Sequence, residues 1–592
     1  MQNDVPLRPL NYASWGVTIE RAPNDVMYVR PNVPLGPYPP RLTDPLDHWA
    51  EHRPSQAFLA ERDPQGEWRR ITYSAFRAQA RNVAQALLDR GLTRQSFLAI
   101  LSGNDIEHAL LAWGAMYAGI PYAAISPSYS LIASDPARLR HVFEVLSPSL
   151  VFAAHGAKFE RALREVAPAG ARLVVTKNPP SGRQAEFFSA FTETPASAEV
   201  DRATAAVGPD DIAKVLFTSG STGVPKGVIT THRMLCSNQE MYRTVFPCWV
   251  EVPPVLCDWL PWHHTFGGSS DIGLVLYNGG TMYIDHGRPM AGAFEESLRN
   301  LREVATTVYL NVPKGFELLV RHMAADAAFR KHFFSRLQMA FFAAAGLPQH
   351  IWDEFDRLAV ETVGARIPML TGLGATETAP FALCADKANR RSGVVGLPAP
   401  GLELKLVPVG GKREARVRGP NVTPGFWREE ELTRAAFDEE GYYRMGDALA
   451  FIDPADPAKG FLFDGRLAED FKLSTGTWVS VGPLRARFIL HGAPWVKDLA
   501  IAGHDRDDVT ALIFPDGGSR GVIESLLRDF ARQSTGSSNR IARAIILTEA
   551  PSLDAGEITD KGSINQAAVL RRRAELVERL YSTPYAPEVI VV

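Results

Sequence analysis

One short loop concentrates more chemistry than any other part of the sequence: FTSGSTGVPKG, from Phe217 to Gly227. Gly220, Gly223 and Gly227 let backbone amides approach an anion, and Thr218, Ser219, Ser221 and Thr222 offer hydroxyl donors. Lys226 adds a mobile positive charge, so the loop is suited to holding phosphate. It is not the P-loop of the common NTPases, where Gly-Lys runs directly into Ser or Thr. Here Val224 and Pro225 separate Gly223 from Lys226, and Gly227 follows. The flanks tell what must position it. Ala213, Val215, Leu216 and Phe217 form an apolar run before the loop, and Val228, Ile229 and Thr230 a β-prone run after it. The loop is therefore expected to join two strands, which argues against a Gly/Ser linker.

A second cluster lies in TGLGATETAP, Thr371 to Pro380, where Thr376 and Glu377 follow a glycine-containing turn. A hydroxyl there can bind phosphate, and one carboxylate together with substrate phosphates is enough to hold Mg²⁺. A Thr-Glu pair alone more often marks the start of a helix. In LPWHHTFGG, Leu260 to Gly268, two histidines adjoin. If they lie on a strand they point to opposite faces, so the pair is not expected to share a metal ion. A packed structural histidine beside Trp262 is the plainer reading.

FTSGSTGVPKG, continued by VITTHRML, resembles the phosphate-binding signature of the adenylate-forming superfamily, which includes acyl-CoA synthetases, firefly-type luciferases and peptide-synthetase adenylation domains. The resemblance implies roles for the other segments. TGLGATETAP is similar to the adenine- and Mg-binding segment, bringing Gly374 to the nucleotide, Gly372 to the acid pocket, and Thr376 and Glu377 to catalysis. FFAAAGLPQ, from Phe341, resembles the segment whose backbone lines the adenine and acyl pockets through Ala344, Ala345 and Gly346, although many relatives carry glycine where Ala344 stands. A buried Ala-rich strand is the alternative. YYRMGD, from Tyr442, resembles the segment whose aspartate accepts hydrogen bonds from both ribose hydroxyls, a task that suits the acceptor-only carboxylate of Asp447. Arg466 resembles the arginine that follows at the domain junction. LPWHHTFGG resembles the acid-pocket segment, with His264 and Phe266 as matching positions.

GEITDKGSINQ places Lys561 between Gly556 and Gly562 and resembles the catalytic-lysine loop of the family's C-terminal lid. Such a lysine would stabilise charge that builds on phosphate and carboxyl oxygens during attack. Ala468, Glu469 and Asp470 share the expected hinge position, with Lys472 and Gly476 in the same CoA and hinge region.

Length and composition fit this plan. The chain has 592 residues, 46% of them hydrophobic, enough for several domain-sized units. A formal net charge of −3, from 63 basic and 66 acidic residues, carries no basic excess for nucleic acid. Cys236, Cys248, Cys257 and Cys384 lack zinc-site spacing and disulfide density, so buried free thiols are expected. With neither an N-terminal leader pattern nor a membrane-length apolar run, a cytoplasmic protein without membrane association is expected. Oligomeric state is left open, a homodimer included.

Strand and helix patterns alternate through Tyr73–Gly91, Phe97–Leu101, Asp105–Gly119, Leu150–Ala153 and Leu173–Thr176, which predicts a layered α/β body. A β-rich region follows around Leu402–Val407 and Glu414–Val417. A smaller C-terminal unit is expected to carry strands at Ala500–Ala502, Ala511–Phe514 and Ile541–Leu547, and helices at Gly521–Arg532 and Ala567–Tyr581. The fold class expected is α/β: a large N-terminal domain of layered subdomains plus a β-rich one over residues 1–465, and a small mobile α+β lid over 466–592. The reaction implied is ATP-dependent activation of a carboxylic acid to an acyl-adenylate, with Mg²⁺, then thioester formation with coenzyme A. LSGNDIEHALLAWGAMYAGIPYAAISPSYSL, TVYLNVPKGFELL and GRLAEDFKLSTGTWVSVGPLRARF resemble bacterial feruloyl-CoA synthetases. Trp262, His264, Phe266, Tyr309 and Asn311 could form a flat slot for an aromatic ring with polar groups for its hydroxyl. Another aryl- or fatty-acyl-CoA ligase, or a nucleotide-binding scaffold without turnover, are the competing readings.

Overall fold

A computed structural model describes residues 5–219, 224–290, 292–552, 554–558 and 564–592. The phosphate-loop strands open a seven-stranded sheet that runs Pro225–Thr231, Ile212–Ser219, Tyr122–Ala124, Leu98–Leu101, Leu150–His155, Arg172–Lys177 and Glu186–Phe187. Only the first pair is antiparallel; the other pairs are parallel, and the central strands Tyr122–Ala124, Leu98–Leu101 and Leu150–His155 are buried on both faces over their apolar runs. Leu98 and Ile100 face the helices Tyr73–Asp89 and Ile106–Ala118. Ala99 and Leu101 face the helix Ala137–Leu146 on the other side, through Leu139, Val142 and Phe143. The first two helices begin where the sequence supplies caps. Thr72 accepts the Ala75 amide and Asp105 the His108 amide, and Gly119 closes the second helix in a left-handed conformation.

The β-rich region forms as expected, and its sheet runs on beyond it. Behind Val17–Arg21 and Met27–Pro31 at one edge, its strands Glu403–Val409, Lys412–Arg418, Tyr443–Phe451 and Phe461–Arg466 continue through Val394–Pro398, Phe381–Cys384 and Met369–Gly374 into the parallel strands Met339–Phe342 and Val308–Asn311, forming one eleven-stranded sheet. That continuity places the TGLGATETAP segment at the switch from parallel to antiparallel pairing. Open α/β sheets place their ligands at such discontinuities.

C-terminal to the Phe471–Lys472 and Trp478–Val479 hairpin lies a four-stranded sheet of Val496–Ala502, Val509–Pro515, Ile541–Ile546 and Val589–Val591 with its own two apolar clusters. The expected helix over Ala567–Tyr581 is instead two, Gln566–Arg572 and Ala574–Tyr581. They break at Arg573, whose guanidinium turns inward to the buried Glu557. All four cysteines are buried and free. No described helix is long and apolar enough to cross a membrane.

Candidate active site

The antiparallel register Phe217↔Gly227, Thr218↔Lys226 and Ser219↔Pro225 brings the two flanks of the phosphate loop side by side. Pro225, which has no amide proton, stands at the last rung. Gly220, Ser221, Thr222 and Gly223 lie outside the described residues, as does the Ser219 side chain. Gly227 lies within the strand, and a β-carbon there would press on Val215 and Phe217, so packing rather than approach to an anion explains it. The Thr218 hydroxyl is buried with no partner among the described residues. Lys226 reaches across, with Nζ 3.1 Å from Glu377 Oε1 and 3.9 Å from the centre of the Phe426 ring.

Glu377 is buried on a single turn of 3₁₀-helix, Thr376–Thr378. Gly372 and Gly374 lead into it, and a β-carbon at either would collide with a backbone carbonyl of the returning chain, that of Leu383 or Pro380. Distant residues then pin the turn. The Asn421 side-chain amide donates to the Thr378 and Phe381 carbonyls at 2.8 and 2.9 Å, Asn238 donates to the same two, and the Thr423 amide donates to the Glu377 carbonyl at 2.8 Å. Several hydrogen bonds on one turn fix the carboxylate in place before any ligand arrives.

Tyr443 hydrogen-bonds to the Glu377 carboxylate, and burial beside that charge pushes its hydroxyl pKa well up. Four residues on, Asp447 pairs in register with Arg466 on the neighbouring strand, with Arg466 Nε 3.7 Å from Oδ1. Burial raises the Asp447 carboxyl to about 6; the Arg466 guanidinium opposes the shift, and the Glu377 and Glu469 charges add to it. Lys226, Glu377, Tyr443, Asp447 and Arg466 thus form one continuous row across two sheets. Ala344, Ala345 and Gly346 follow the strand Met339–Phe342 and are exposed, not a buried strand. Ala344 adopts φ +72°, the left-handed region that favours glycine, which gives a physical reason for the glycine that relatives carry there.

On the acid side, His263 and His264 sit in a turn rather than on a strand, with ring centres 4.4 Å apart, so the argument from opposite strand faces does not apply. The turn leads into a π-helical segment, Phe266–Asp271, and the Phe266 ring packs edge-on to Phe341 at 6.4 Å. Tyr309 belongs to a different apolar cluster from Phe266, packed edge-on against Phe316 and Phe333. Its hydroxyl accepts from Asn311 Nδ2 at 2.6 Å, and Asn311 Oδ1 accepts from Trp259 Nε1 at 3.2 Å. The structure therefore splits the expected slot residues: Trp262 and Phe266 belong to the cluster with Phe341, while Tyr309, hydrogen-bonded to Asn311, belongs to another.

Three buried charged groups went unread in the sequence. Asp258 and Asp271 are both buried, and burial, with each carboxyl near the other, pushes both pKa values up. Lys214, on the strand that leads into the phosphate loop, donates to the Gly268 carbonyl, and burial lowers its amine to about 7. Each stands as a lone charge in a largely apolar run, Lys214 in IAKVLF, Asp258 in VLCDWL and Asp271 in GGSSDIGLVLY, which was the available signal.

At the junction, Ala468 is exposed and Glu469 half-buried. Asp470 is pinned, with Oδ2 2.5 Å from Lys412 Nζ and Oδ1 accepting the Val481 amide at 2.9 Å. Lys472 lies 5.2 Å from the Trp478 ring centre, and Gly476 takes φ +82° in the tight turn between their strands. Lys561 lies outside the described residues. Its flanks are held: Ile558 bridges Ile564, and the fully buried Glu557 accepts from Arg572 at 2.6 Å, Arg573 at 2.7 Å and the Ser552 amide at 2.8 Å.

A large body of mixed sheets with a nucleotide-type loop at its edge, joined to a small α+β unit, defines an adenylate-forming enzyme. The chain belongs to the AMP-binding enzyme family, which it matches over residues 46–427, and residues 471–584 match that family's C-terminal domain. It is similar to 3-[(3aS,4S,7aS)-7a-methyl-1,5-dioxo-octahydro-1H-inden-4-yl]propanoyl:CoA ligase of Rhodococcus jostii (strain RHA1), 27% identical over 67% of this chain and 76% of that protein. It is likewise 27% identical to 4-coumarate–CoA ligase-like 4 of Oryza sativa subsp. japonica, over 84% of this chain and 88% of the relative. In fold it resembles the anthranilate CoA ligase AuaEII, solved with anthranoyl-AMP, at a TM-score of 0.72 and 20% identity, covering 93% of this chain and 99% of the other.

Proposed function

We propose that this enzyme activates a hydroxycinnamic acid of the ferulate type with ATP, releasing pyrophosphate, and then transfers the acyl group to coenzyme A. The row from Lys226 through Glu377 and Tyr443 to Asp447 and Arg466 carries the reading, because it sets a cation suited to phosphate at one end and a carboxylate suited to ribose hydroxyls at the other. Lys226 and the hydroxyls of the loop take the outer phosphates, and Asp447 accepts from the ribose hydroxyls, with Arg466 beside it. Thr376 stands next to Glu377 to hold the phosphate that is attacked, while the exposed backbone of Ala344, Ala345, Gly346 and Gly374 borders the base.

Glu377 suits Mg²⁺: it is one buried carboxylate beside a phosphate-type loop, and Lys226 already shows that its oxygen attracts a cation. When bound, Mg²⁺ would neutralise phosphate charge there. His264, Phe266 and Gly372 border the acid, with Asn311 and Tyr309 supporting the slot from behind. Lys561 supplies positive charge in the activation step, and the junction at Ala468, Glu469, Asp470, Lys472 and Gly476 serves the exchange of half-reactions and the CoA side. Because Asp470 is tied to Lys412 and Val481, the turning point falls on Ala468 or Glu469. CoA ligases with coumarate and hydroxybenzoate in their names among the relatives support an aryl acid.

The test supplies purified protein with ATP, Mg²⁺, CoA and a panel of ferulate, coumarate, benzoate and medium-chain fatty acids. Preference for ferulate or coumarate is expected. Preference for a fatty acid would overturn the substrate claim, and absence of acid-dependent pyrophosphate release would leave only a nucleotide-binding scaffold.

A further inference from the structure

The C-terminal unit touches the large body at a place no sequence motif marks. Just before the helix Ala137–Leu146, the Ser134 amide and hydroxyl both donate to the Asp554 carboxylate, at 3.1 and 2.6 Å. These hydrogen bonds, with the Arg138 and Arg161 charges nearby, hold the Asp554 carboxyl below the usual carboxylate range. Arg161 in turn donates to the Ser134 and Ala133 carbonyls, which fixes the receiving segment. At the second residue of the helix, the Arg138 guanidinium lies against Gly556 so closely that a β-carbon there would collide with it. A further turn on, His141 Nε2 donates to the Pro225 carbonyl at 3.0 Å, at the last rung of the phosphate hairpin. The same helix rests through Leu139, Val142 and Phe143 on Val215 and Phe217, the strand beneath that loop. One rigid helix therefore touches the phosphate hairpin at its middle and the 554–556 segment at its start.

We propose that Asp554 and Ser134 form a latch that positions the C-terminal unit for the adenylate-forming half-reaction, with the helix Ala137–Leu146 as the bar between latch and phosphate hairpin. The proposal rests on the two-step ligase reading above. Asp554 precedes Lys561 by seven residues, and the intervening Glu557 is clamped by Arg572 and Arg573. A contact at Asp554 is thereby transmitted to the start of the lysine-bearing segment. The latch consists of exposed polar groups that water can replace, so it can be released for the second half-reaction, as a permanent apolar contact could not. Asp554 and Ser134 are positioning residues: they touch no reacting atom.

The test separates the half-reactions. Asp554→Ala and Ser134→Ala should each slow acid-dependent pyrophosphate release about 5- to 10-fold. Thioester formation from preformed acyl-adenylate should stay unchanged, and the double variant should be no worse than either single one. Equal loss in both steps, or additive losses, would overturn the latch. A second measurement does not depend on turnover. The native thiols are buried, so Ser134→Cys with Asp554→Cys can be joined by a short bismaleimide. Cross-linking is expected, with adenylate formation kept and thioester formation lost; failure to cross-link, or retention of both steps after it, would overturn the proposal. Absence of pyrophosphate release from the unmodified protein with every acid would instead overturn the ligase reading, and the cross-link alone would then decide the contact.

Discussion

The two sides of the active site are held by different physics. On the large body, strand register places the chemistry: Thr218 opposite Lys226 and Asp447 opposite Arg466, while Glu377 rides on a turn pinned by Asn238, Asn421 and Thr423. Moving any of these side chains would mean breaking a ladder or the hydrogen bonds that pin the turn. The C-terminal unit presents its site-facing segment through charge contacts, Glu557 to Arg572 and Arg573 inside the unit and Asp554 to Ser134 across to the body. Groups used in both half-reactions belong on a scaffold that does not move. A group used in one belongs on a piece whose attachment can be exchanged.

This difference can be broken most forcefully at Lys561. Lys561→Ala should lower adenylate formation by about 10²–10³-fold while affecting thioester formation from preformed adenylate far less. Equal loss would mean that the C-terminal side is not specific to one step. On the fixed side, Glu377→Gln removes the charge that Lys226 and Tyr443 both address, and about a 10²-fold loss in pyrophosphate release is expected. The melting temperature should change little, because the backbone hydrogen bonds of the turn remain. A large fall in melting temperature would instead make Glu377 a structural anchor. Asp447→Asn, which keeps shape and loses charge, should raise the KM for ATP about 10-fold with a smaller effect on kcat. An unchanged KM would remove Asp447 from the ribose.

Much of the fixed side was legible in the sequence because its motifs are local. A glycine- and hydroxyl-rich loop between two β-prone runs does become a hairpin, and capped helices begin at Tyr73 and Ile106 close to where the pattern places them. What could not be read is non-local. Asn238, Asn421 and Thr423 reach Glu377 from far along the chain, and nothing in their neighbourhoods advertises it. The break between the helices ending at Arg572 and beginning at Ala574 comes from a buried guanidinium seeking Glu557, which overrides good helical spacing. The strand condition attached to the histidine pair is not met, because the chain turns after Pro261 and carries both histidines in that turn.

The smallest expected effect is also the one that sharpens the comparison furthest, because acid should act on the two sides with opposite sign. Asp447 has a folded pKa of about 6, above its unfolded value, so between about 4 and 6 the folded state binds more protons. Its contribution therefore rises as pH falls through that window, even as the carboxylate proposed to meet the ribose loses its charge. Glu557 is the reverse: its arginine partners depress its pKa, so its stabilisation is complete above the ordinary carboxylate range and is lost as pH falls through the lowered folded value. Hydrogen exchange, corrected for intrinsic rates, should show the strands around 443–466 becoming better protected from pH 6.5 to 4.5. Segments around 549–573 should hold steady and then loosen below about 4.5. Asp447→Asn should abolish the first change and Glu557→Gln the second. If both regions lost protection together, register and charge would not be separate ways of holding the site, because the buried carboxylate of the body would then be as dependent on its ion pair as the lid is on its own.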